Sequence, residues 1–243
     1  MLTISPRQFD SFAQVCELRY RSQLAHELRR DLGAYVVDLS DPELDQFAET
    51  LCDEARSLGF STEYEIASFA RPCVVYGALS HRDPLFEPMY YASLPGAGAR
   101  RRLGPAALSA ATAKVLQTEF ARRSGTQLVA DLAAVFLSGE HPEPGPYTAI
   151  ELYFPERAAR LPPGALDAHR VLAAAEADRL GLVDLQARYI HGDVAQLLGA
   201  CFARDPLYPW AIAAFAGADS DTGRIARLRT ALKVIARKAS LGR

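Results

Sequence analysis

The stretch GALSHRDPLF at residues 77–86 decides the fold, because it returns as GACFARDPLY at residues 199–208. The same register aligns ARSLG at 55–59 with ADRLG at 177–181. Unrelated segments of ordinary composition share far fewer residues at one register. The nine identities pair Ala55, Leu58, Gly59, Gly77, Ala78, Arg82, Asp83, Pro84 and Leu85 with Ala177, Leu180, Gly181, Gly199, Ala200, Arg204, Asp205, Pro206 and Leu207. The simplest interpretation is a tandem duplication.

The two copies begin at a shorter spacing, which brings Gln23 and Leu24 onto Gln127 and Leu128. A Pro-rich, loop-like insertion at residues 138–165 accounts for the difference. We therefore expect a first repeat over residues 1–104. The second repeat is expected over 105–243, with the insertion and a basic C-terminal helix.

Both copies are predicted to be helical, which gives an all-α fold made from a three- to four-helix unit present twice. Asp41 is expected to cap a helix that has Pro42 at its first position and ends at Gly59. Thr62 with Glu65, and Asp184 in the second copy, are expected to cap the helices that follow. The apolar face of the first of these helices contains Leu44, Phe47, Ala48, Leu51, Cys52, Ala55 and Leu58, at helical spacing.

Three longer segments complete the predicted secondary structure. A helix is expected over residues 5–32 and its counterpart over 107–137, where Gly125 is a candidate break. A C-terminal helix is expected over 222–239, and a very short β ribbon between 35–39 and 149–154. The residues expected to face inward are Phe9, Phe12, Cys16, Tyr20, Leu24 and Leu28 in the first helix, and Ile225, Leu228, Leu232 and Ile235 in the last.

Composition places the 243-residue chain among ordinary globular proteins, with a net charge of −2, 49% hydrophobic and 23% charged residues. Wholesale disorder is excluded. The first thirty residues show no signal or transit peptide, and no apolar run is long enough to span a membrane, so we expect a cytoplasmic protein. The four cysteines lie far apart and no metal-ligand spacing occurs, so we expect core cysteines and no metal or cofactor.

The tripeptide His81-Arg82-Asp83 matches the catalytic loop of protein kinases, but no Gly-rich loop, strand lysine or DFG accompanies it. The second copy has Ala203 in place of the histidine. A structural role therefore fits better: the aspartate caps a helix that begins at Pro84, and the next two residues anchor the turn in the core.

Two histidines distinguish the second copy, since His169 and His191 stand where the first copy has Phe47 and Phe69. Buried packing is one interpretation. The other is a polar pocket of His169, Arg188, His191 and Asp193, able to bind a partner or to act as general acid and base in an all-α enzyme.

Three surface features are candidates for binding. The segment GAGARRR at residues 96–102 is expected to be an exposed connector. Tyr90, Tyr91 and Trp210 suit a protein-binding hot spot if they are exposed. The C-terminal basic face can contact an acidic protein or an anionic membrane, or be simply solvated, and we favour solvation over a membrane role and expect no nucleic acid. That face contains Arg224, Arg227, Lys233, Arg237 and Lys238.

The repeated pattern, a capped helix ending in Ala-x-x-Leu-Gly, a second ending in Gly-Ala and then Arg-Asp-Pro-Leu-aromatic, resembles small helical proteins encoded beside type VI secretion effectors. The resemblance covers residues 4–95 and again 108–217. It implies a non-enzymatic partner of a secreted toxin, either a loading adaptor and chaperone or an immunity protein. We expect a protein-binding scaffold whose site is the groove between the copies, with a secreted effector or delivery component as partner.

Overall fold

The computed structural model describes residues 5–93, 100–118, 150–151, 158–159, 161–217 and 220–241, and in them the predicted all-α fold is confirmed. Two three-residue strands, β1 (Tyr91–Ser93) and β2 (Arg100–Arg102), pair antiparallel. The helices are α1 (Pro6–Leu32), α2 (Asp41–Ser57), α3 (Glu63–Tyr76), α4 (Glu87–Tyr90), α5 (Pro105–Thr118), α6 (Ala165–Arg179), α7 (Leu185–Leu198), α8 (Pro209–Phe215) and α9 (Asp221–Leu241).

Several helix ends lie where the sequence predicted them. Thr62 and Glu65 form the capping box of α3: the N–H of Glu65 donates to Thr62 Oγ1 at 3.3 Å, and that of Thr62 to Glu65 Oε2 at 3.0 Å. Asp184 caps α7, since its Oδ1 accepts the N–H of Ala187 at 2.8 Å. The prediction for α2 was wrong by one residue.

Ser40, and not Asp41, precedes the first turn of α2. The N–H of Ser40 donates to Glu43 Oε2 at 2.7 Å, which is half of a capping box. The Ser-x-x-Glu pairing gives the backbone N–H of Ser40 an acceptor at the start of the helix, so Ser40 is the N-cap residue in place of Asp41.

Residues 41–90, the first unit, and residues 165–215, the second unit, share local backbone geometry. Gly59 and Gly181 end α2 and α6 at φ 81° and 70°, and Gly77 and Gly199 end α3 and α7 at φ 98° and 95°. A short 3-10 turn follows in each unit, at Ser80–Arg82 and Phe202–Arg204. Such matched joints are what a duplicated ancestor predicts; the duplication itself stays a prediction.

One hydrophobic core runs through both units. Helix α3 of the first unit lies against α2 and also against α1 and α5, which are outside that unit. Helix α7 of the second unit lies against α6 and against α9, which follows the unit, and α8 also packs on α9. The buried stripe of α9 is confirmed at Ile225, Leu228, Leu232 and Ile235.

The inward face of α1 is confirmed in its C-terminal half alone, where Tyr20, Leu24 and Leu28 are buried. Phe12 is 68% exposed and Cys16 is exposed, so that part of the prediction was wrong. The 27 residues of α1 span about 40 Å and the 17 of α2 only about 25 Å, so α1 extends beyond its neighbour. The side chain of Phe9 lies outside the described residues.

The ribbon predicted between 35–39 and 149–154 is not formed by the described residues. Tyr35 ends a 3-10 turn, and Ile150 and Glu151 are helical. The observed ribbon uses Arg100–Arg102, so the basic end of the predicted connector is a strand. Residues 94–99 and 119–149, with Gly125 and most of the insertion, lie outside the described residues.

Candidate functional site

The two units are joined by two buried aspartates that each reach into the other unit. Oδ2 of Asp83 accepts the N–H of Ala200 at 2.7 Å, and Oδ2 of Asp205 accepts the N–H of Leu79 at 3.0 Å. These N–H groups follow the glycine ends of α7 and α3, where no helical acceptor remains for them. The repeated Arg-Asp-Pro motif is therefore the joint between the units.

The second oxygen of each aspartate holds its own turn. Oδ1 of Asp83 accepts the N–H of Leu85, and Oδ1 of Asp205 that of Leu207, both at 2.9 Å. The buried anchors predicted for these turns, Leu85, Phe86, Leu207 and Tyr208, are confirmed. The prediction that a helix starts at Pro84 was wrong, since α4 begins at Glu87. The aspartate instead stabilises an Asx turn, in which its side chain accepts the N–H of the residue two positions later.

His169 is fully buried and completes the partners of Asp83. Its Nδ1 lies 2.8 Å from Oδ1 and 3.0 Å from Oδ2 of that aspartate. The first unit has Phe47 at the matching position, so Asp205 has no corresponding histidine. The joint is thus asymmetric, since only Asp83 has a histidine partner. Burial raises the pKa of Asp205 to about 6, although hydrogen bonds from backbone N–H groups oppose this shift.

His191 is fully buried in an aromatic environment. Its ring centroid lies 5.1 Å from that of Phe202 and 5.8 Å from that of Phe215, and neither ring nitrogen has a hydrogen-bond partner. Burial lowers the pKa of His191 to about 4. The packing interpretation of this residue fits the structure, since the ring takes the place that Phe69 has in the first unit.

Arg188, a member of the polar pocket predicted for the second unit, contacts residues outside that set. Nη1 of Arg188 donates to Asp178 Oδ1 at 2.5 Å and to the carbonyl of Leu182 at 2.9 Å. Asp193 is half-buried, His169 contacts Asp83, and His191 packs against aromatic rings. The pocket was predicted because the two histidines replace aromatic residues of the first copy, and His169 and Arg188 each contact a residue outside the predicted set.

Sequence reasoning missed a pair of glutamates that stand in the same register as the repeat. Nη2 of Arg82 donates a hydrogen bond to Glu54 Oε1 at 2.6 Å, and Nη2 of Arg204 donates one to Glu176 Oε1 at 3.0 Å. Burial raises the pKa of Glu176, but hydrogen bonds from Arg204 and Arg179 outweigh it and the net pKa is lowered. The signal was available, since residues 54 and 176 are identical at the shift that aligns the arginines.

The other member of the kinase-like tripeptide, His81, is also engaged inside the fold. Its Nε2 lies 3.0 Å from Glu54 Oε2, and burial lowers the pKa of His81 while Glu54 opposes that shift. All three residues of the tripeptide therefore have structural contacts in the first unit.

The aromatic hot-spot candidates differ in placement. Tyr90 is buried and its hydroxyl lies 2.6 Å from Ser80 Oγ, so it does not meet the condition of exposure. Trp210 is half-buried, with its ring centroid 5.9 Å from that of Tyr208. The side chain of Tyr91 lies outside the described residues.

The basic residues of α9 divide into two groups. Arg224 donates to the carbonyl of Leu180 at 2.6 Å, and Arg227 to that of Ala214 at 3.0 Å, so both cap the C-terminal ends of other helices. Lys233 and Arg237 are exposed on the helix surface. The side chain of Lys238 lies outside the described residues.

A groove of about 130 Å³ lies between α7 and α9. The groove expected between the two copies stays a prediction. The lining of the groove between α7 and α9 consists of Asp184, Gln186, Ala187, Ile190, Thr222, Ile225, Ala226 and Arg229. The Nε of Arg229 is buried without a hydrogen-bond acceptor. No carboxylate in the described part of the chain forms an ion pair with this arginine.

Two large apolar side chains flank the groove residue Asp184 in sequence, at the N-terminus of α7. Val183 is 87% exposed and Leu185 is 61% exposed. Asp221 fixes this loop, because its Oδ2 accepts the N–H groups of Val183 and Asp184, each at 2.7 Å. The apolar side chains are therefore presented from a rigid backbone.

The described ranges contain no cluster of three or more side chains that could together hold a metal ion. Cys52, Cys73 and Cys201 are buried, as predicted for core cysteines, whereas Cys16 is exposed. Burial raises the pKa of Cys201 to about 12, which keeps it a thiol. No helix in the described part of the chain has the length and apolarity needed to cross a bilayer.

Comparisons of the chain with family models, curated proteins and solved structures find no match.

Proposed function

We propose that this chain is a non-enzymatic protein-binding scaffold that acts in the cytoplasm as an adaptor or chaperone for a type VI secretion effector. The observation that carries the proposal is the exposed pair Val183 and Leu185, which flanks the groove residue Asp184 in sequence. The resemblance of the repeated pattern to proteins encoded beside such effectors supplies the class of partner.

The burial of His169 and His191 supports a binding function over a catalytic one. A general base must come within hydrogen-bond reach of the proton it removes. His169 and His191 are fully buried, and the first of them already contacts Asp83. The groups that sequence offered for acid and base chemistry contribute instead to the joint and the core.

A comparison of the units supports binding by the second one. The register of the repeat places Ser61 and Glu63 of the first unit at the positions of Val183 and Leu185. In the first unit, moreover, the hydroxyl of Tyr20 on α1 donates to the carbonyl of Glu63 at 2.8 Å. At these two positions, an exposed valine and an exposed leucine are therefore a property of the second unit, although the first unit exposes Tyr64 nearby. An exposed apolar pair of this kind suits a surface that a partner covers.

Affinity purification of the tagged chain from cells that express it naturally tests the proposal. We expect one protein partner in stoichiometric amount, which is lost when Val183→Ser and Leu185→Ser are combined. The matched control is Val171→Ser, which changes an apolar side chain that is 71% exposed on α6. The absence of a stoichiometric partner, or a partner indifferent to the double variant, would contradict the proposal.

Co-expression separates an adaptor from an immunity protein once the partner is known. An immunity protein protects cells from the toxin directly, whereas an adaptor leaves toxicity in place and is needed for its export. We expect export of the partner to fail without this chain and toxicity to persist in its presence.

A further inference from the structure

We propose that the groove between α7 and α9 binds an acidic, apolar segment of the protein partner, in which a carboxylate pairs with Arg229 and a neighbouring apolar side chain lies over Ile190 and Ile225. This inference rests on the proposed function and identifies the chemistry of its partner.

The size of the groove favours a polypeptide over a small molecule. Drug-sized ligands and cofactors occupy about 300–1,000 Å³. The groove measures about 130 Å³, which is the volume of roughly four waters. It therefore accommodates one or two side chains of a segment whose remainder lies on the surrounding surface.

Arg229 is the polar group that the groove leaves unsatisfied. Its Nε is buried without an acceptor, and a buried donor left in this state costs about 1–3 kcal/mol. The other charged residue of the lining, Asp184, already accepts the N–H of Ala187 in its capping role. A carboxylate from a partner would satisfy the guanidinium, which is suited to bidentate pairing.

The charge of α9 favours the same partner. Lys233 lies four residues after Arg229, and Arg237 lies eight residues after it. The three therefore lie along one helical face that leads away from the groove. No acidic residue occurs after Asp221. An acidic segment gains from this field in its rate of association, and a basic segment is repelled.

Apolar contact is supplied by the lining of the groove and by the exposed pair. Ile190 and Ile225 are buried residues of its lining, and Val183 and Leu185 are exposed on either side of the lining residue Asp184 in sequence. The loop is held by Asp221 and by Arg224, which donates to the carbonyl of Leu180 at 2.6 Å. A surface already ordered in this way loses little conformational entropy when a partner binds.

Selection of random 12-residue peptides displayed on phage, with the full chain as bait, tests the groove directly. We expect the selected peptides to be enriched in Asp or Glu next to Leu or Ile, relative to the starting library. We expect synthetic copies to lose about tenfold or more in affinity for Arg229→Glu, as for a desolvated charge pair. Arg7→Glu, a charge reversal at an exposed site on α1, is the matched control and should leave affinity unchanged.

A steric variant separates loss of binding from loss of folding. Ala226→Phe fills the groove from an exposed position on α9 and should abolish peptide binding without lowering the thermal unfolding midpoint. Failure to enrich peptides, selected peptides without acidic excess, or wild-type affinity in either Arg229→Glu or Ala226→Phe would overturn the inference. A native partner that still depends on Val183 and Leu185 would then leave the proposed function standing.

Discussion

The carboxylate of Asp83 accepts the backbone N–H of Ala200 at 2.7 Å, a contact that spans 117 residues of sequence. The contact is buried, and the same carboxylate also holds Leu85 and His169. Removing it leaves several buried donors without an acceptor, which is more costly than the loss of a surface hydrogen bond.

We therefore expect Asp83→Ala to lower the free energy of unfolding by about 3 kcal/mol or more, because each buried donor left without an acceptor costs about 1–3 kcal/mol. Urea unfolding followed by circular dichroism measures the change. Asp31→Ala, at an exposed site on α1, is the control and should stay within about 0.5 kcal/mol of the wild type. A loss at Asp83 no greater than at Asp31 would contradict the role of the joint.

The two histidines of the second unit should respond in opposite directions to replacement by the phenylalanine of the first unit. His169→Phe removes the side-chain partner of Asp83, so we expect stability to fall by about 2 kcal/mol. His191→Phe removes two ring nitrogens that lack partners, so we expect stability to rise by about 1–3 kcal/mol. Urea denaturation curves of both variants and the wild type measure the two changes in the free energy of unfolding. Changes of the same sign would contradict the different roles given to the two histidines.

The pH dependence of stability should contain a contribution from His191. Its pKa in the folded protein is about 4, below the unperturbed value of 6.5. As pH falls from 6.5 towards 4, the unfolded chain binds a proton at this residue and the folded protein does not, so the free energy of unfolding decreases. The loss at the lower end amounts to about 3 kcal/mol.

Comparison with His191→Phe isolates that contribution, because Asp205 and all other groups titrate in both proteins. We expect the stability advantage of the variant to grow as pH falls through this window. An advantage that is constant between pH 7 and pH 4 would show that the histidine titrates normally. The measurement is chemical denaturation at closely spaced pH values.

The glycines that end α3 and α7 should differ in their tolerance of alanine. Both have a positive φ in a region that only glycine readily adopts, at a cost of about 1–3 kcal/mol for other residues. A Cβ at Gly77 would lie 2.5 Å from Asp205 Oδ2, whereas at Gly199 the nearest atom, Phe86 Cε2, is 3.4 Å away. We expect Gly77→Ala to lower the thermal unfolding midpoint more than Gly199→Ala, and equal midpoints would contradict the close approach of Asp205.

Much of the secondary structure could be predicted because its signals are local. Thr62, Asp184 and Gly59 define helix ends through bonds to residues within a few positions, and the stripe of α9 follows from helical periodicity. Phe12 shows the limit of this reasoning. Periodicity identifies the apolar face of a helix, but it does not tell whether another element covers that face along its full length.

The candidate site was harder to predict, for a related reason. The histidines that replace aromatic residues of the first copy suggested one pocket of His169, Arg188, His191 and Asp193, yet Arg188 turns to Asp178 and His169 to an aspartate 86 residues away. The groove at Arg229 escaped notice because it depends on how α7 and α9 lie side by side. Helix-to-helix geometry of this kind has no signature in one sequence.

By itself, the amino-acid sequence determined that the chain is helical, that a motif recurs in it, and where several of its helices begin and end, since such features depend on propensities and short-range hydrogen bonds. Only the tertiary structure decided that Asp83 and Asp205 reach into opposite units and that Val183 and Leu185 face solvent. Burial and long-range pairing arise when separate elements pack together, and that packing is a property of the whole fold.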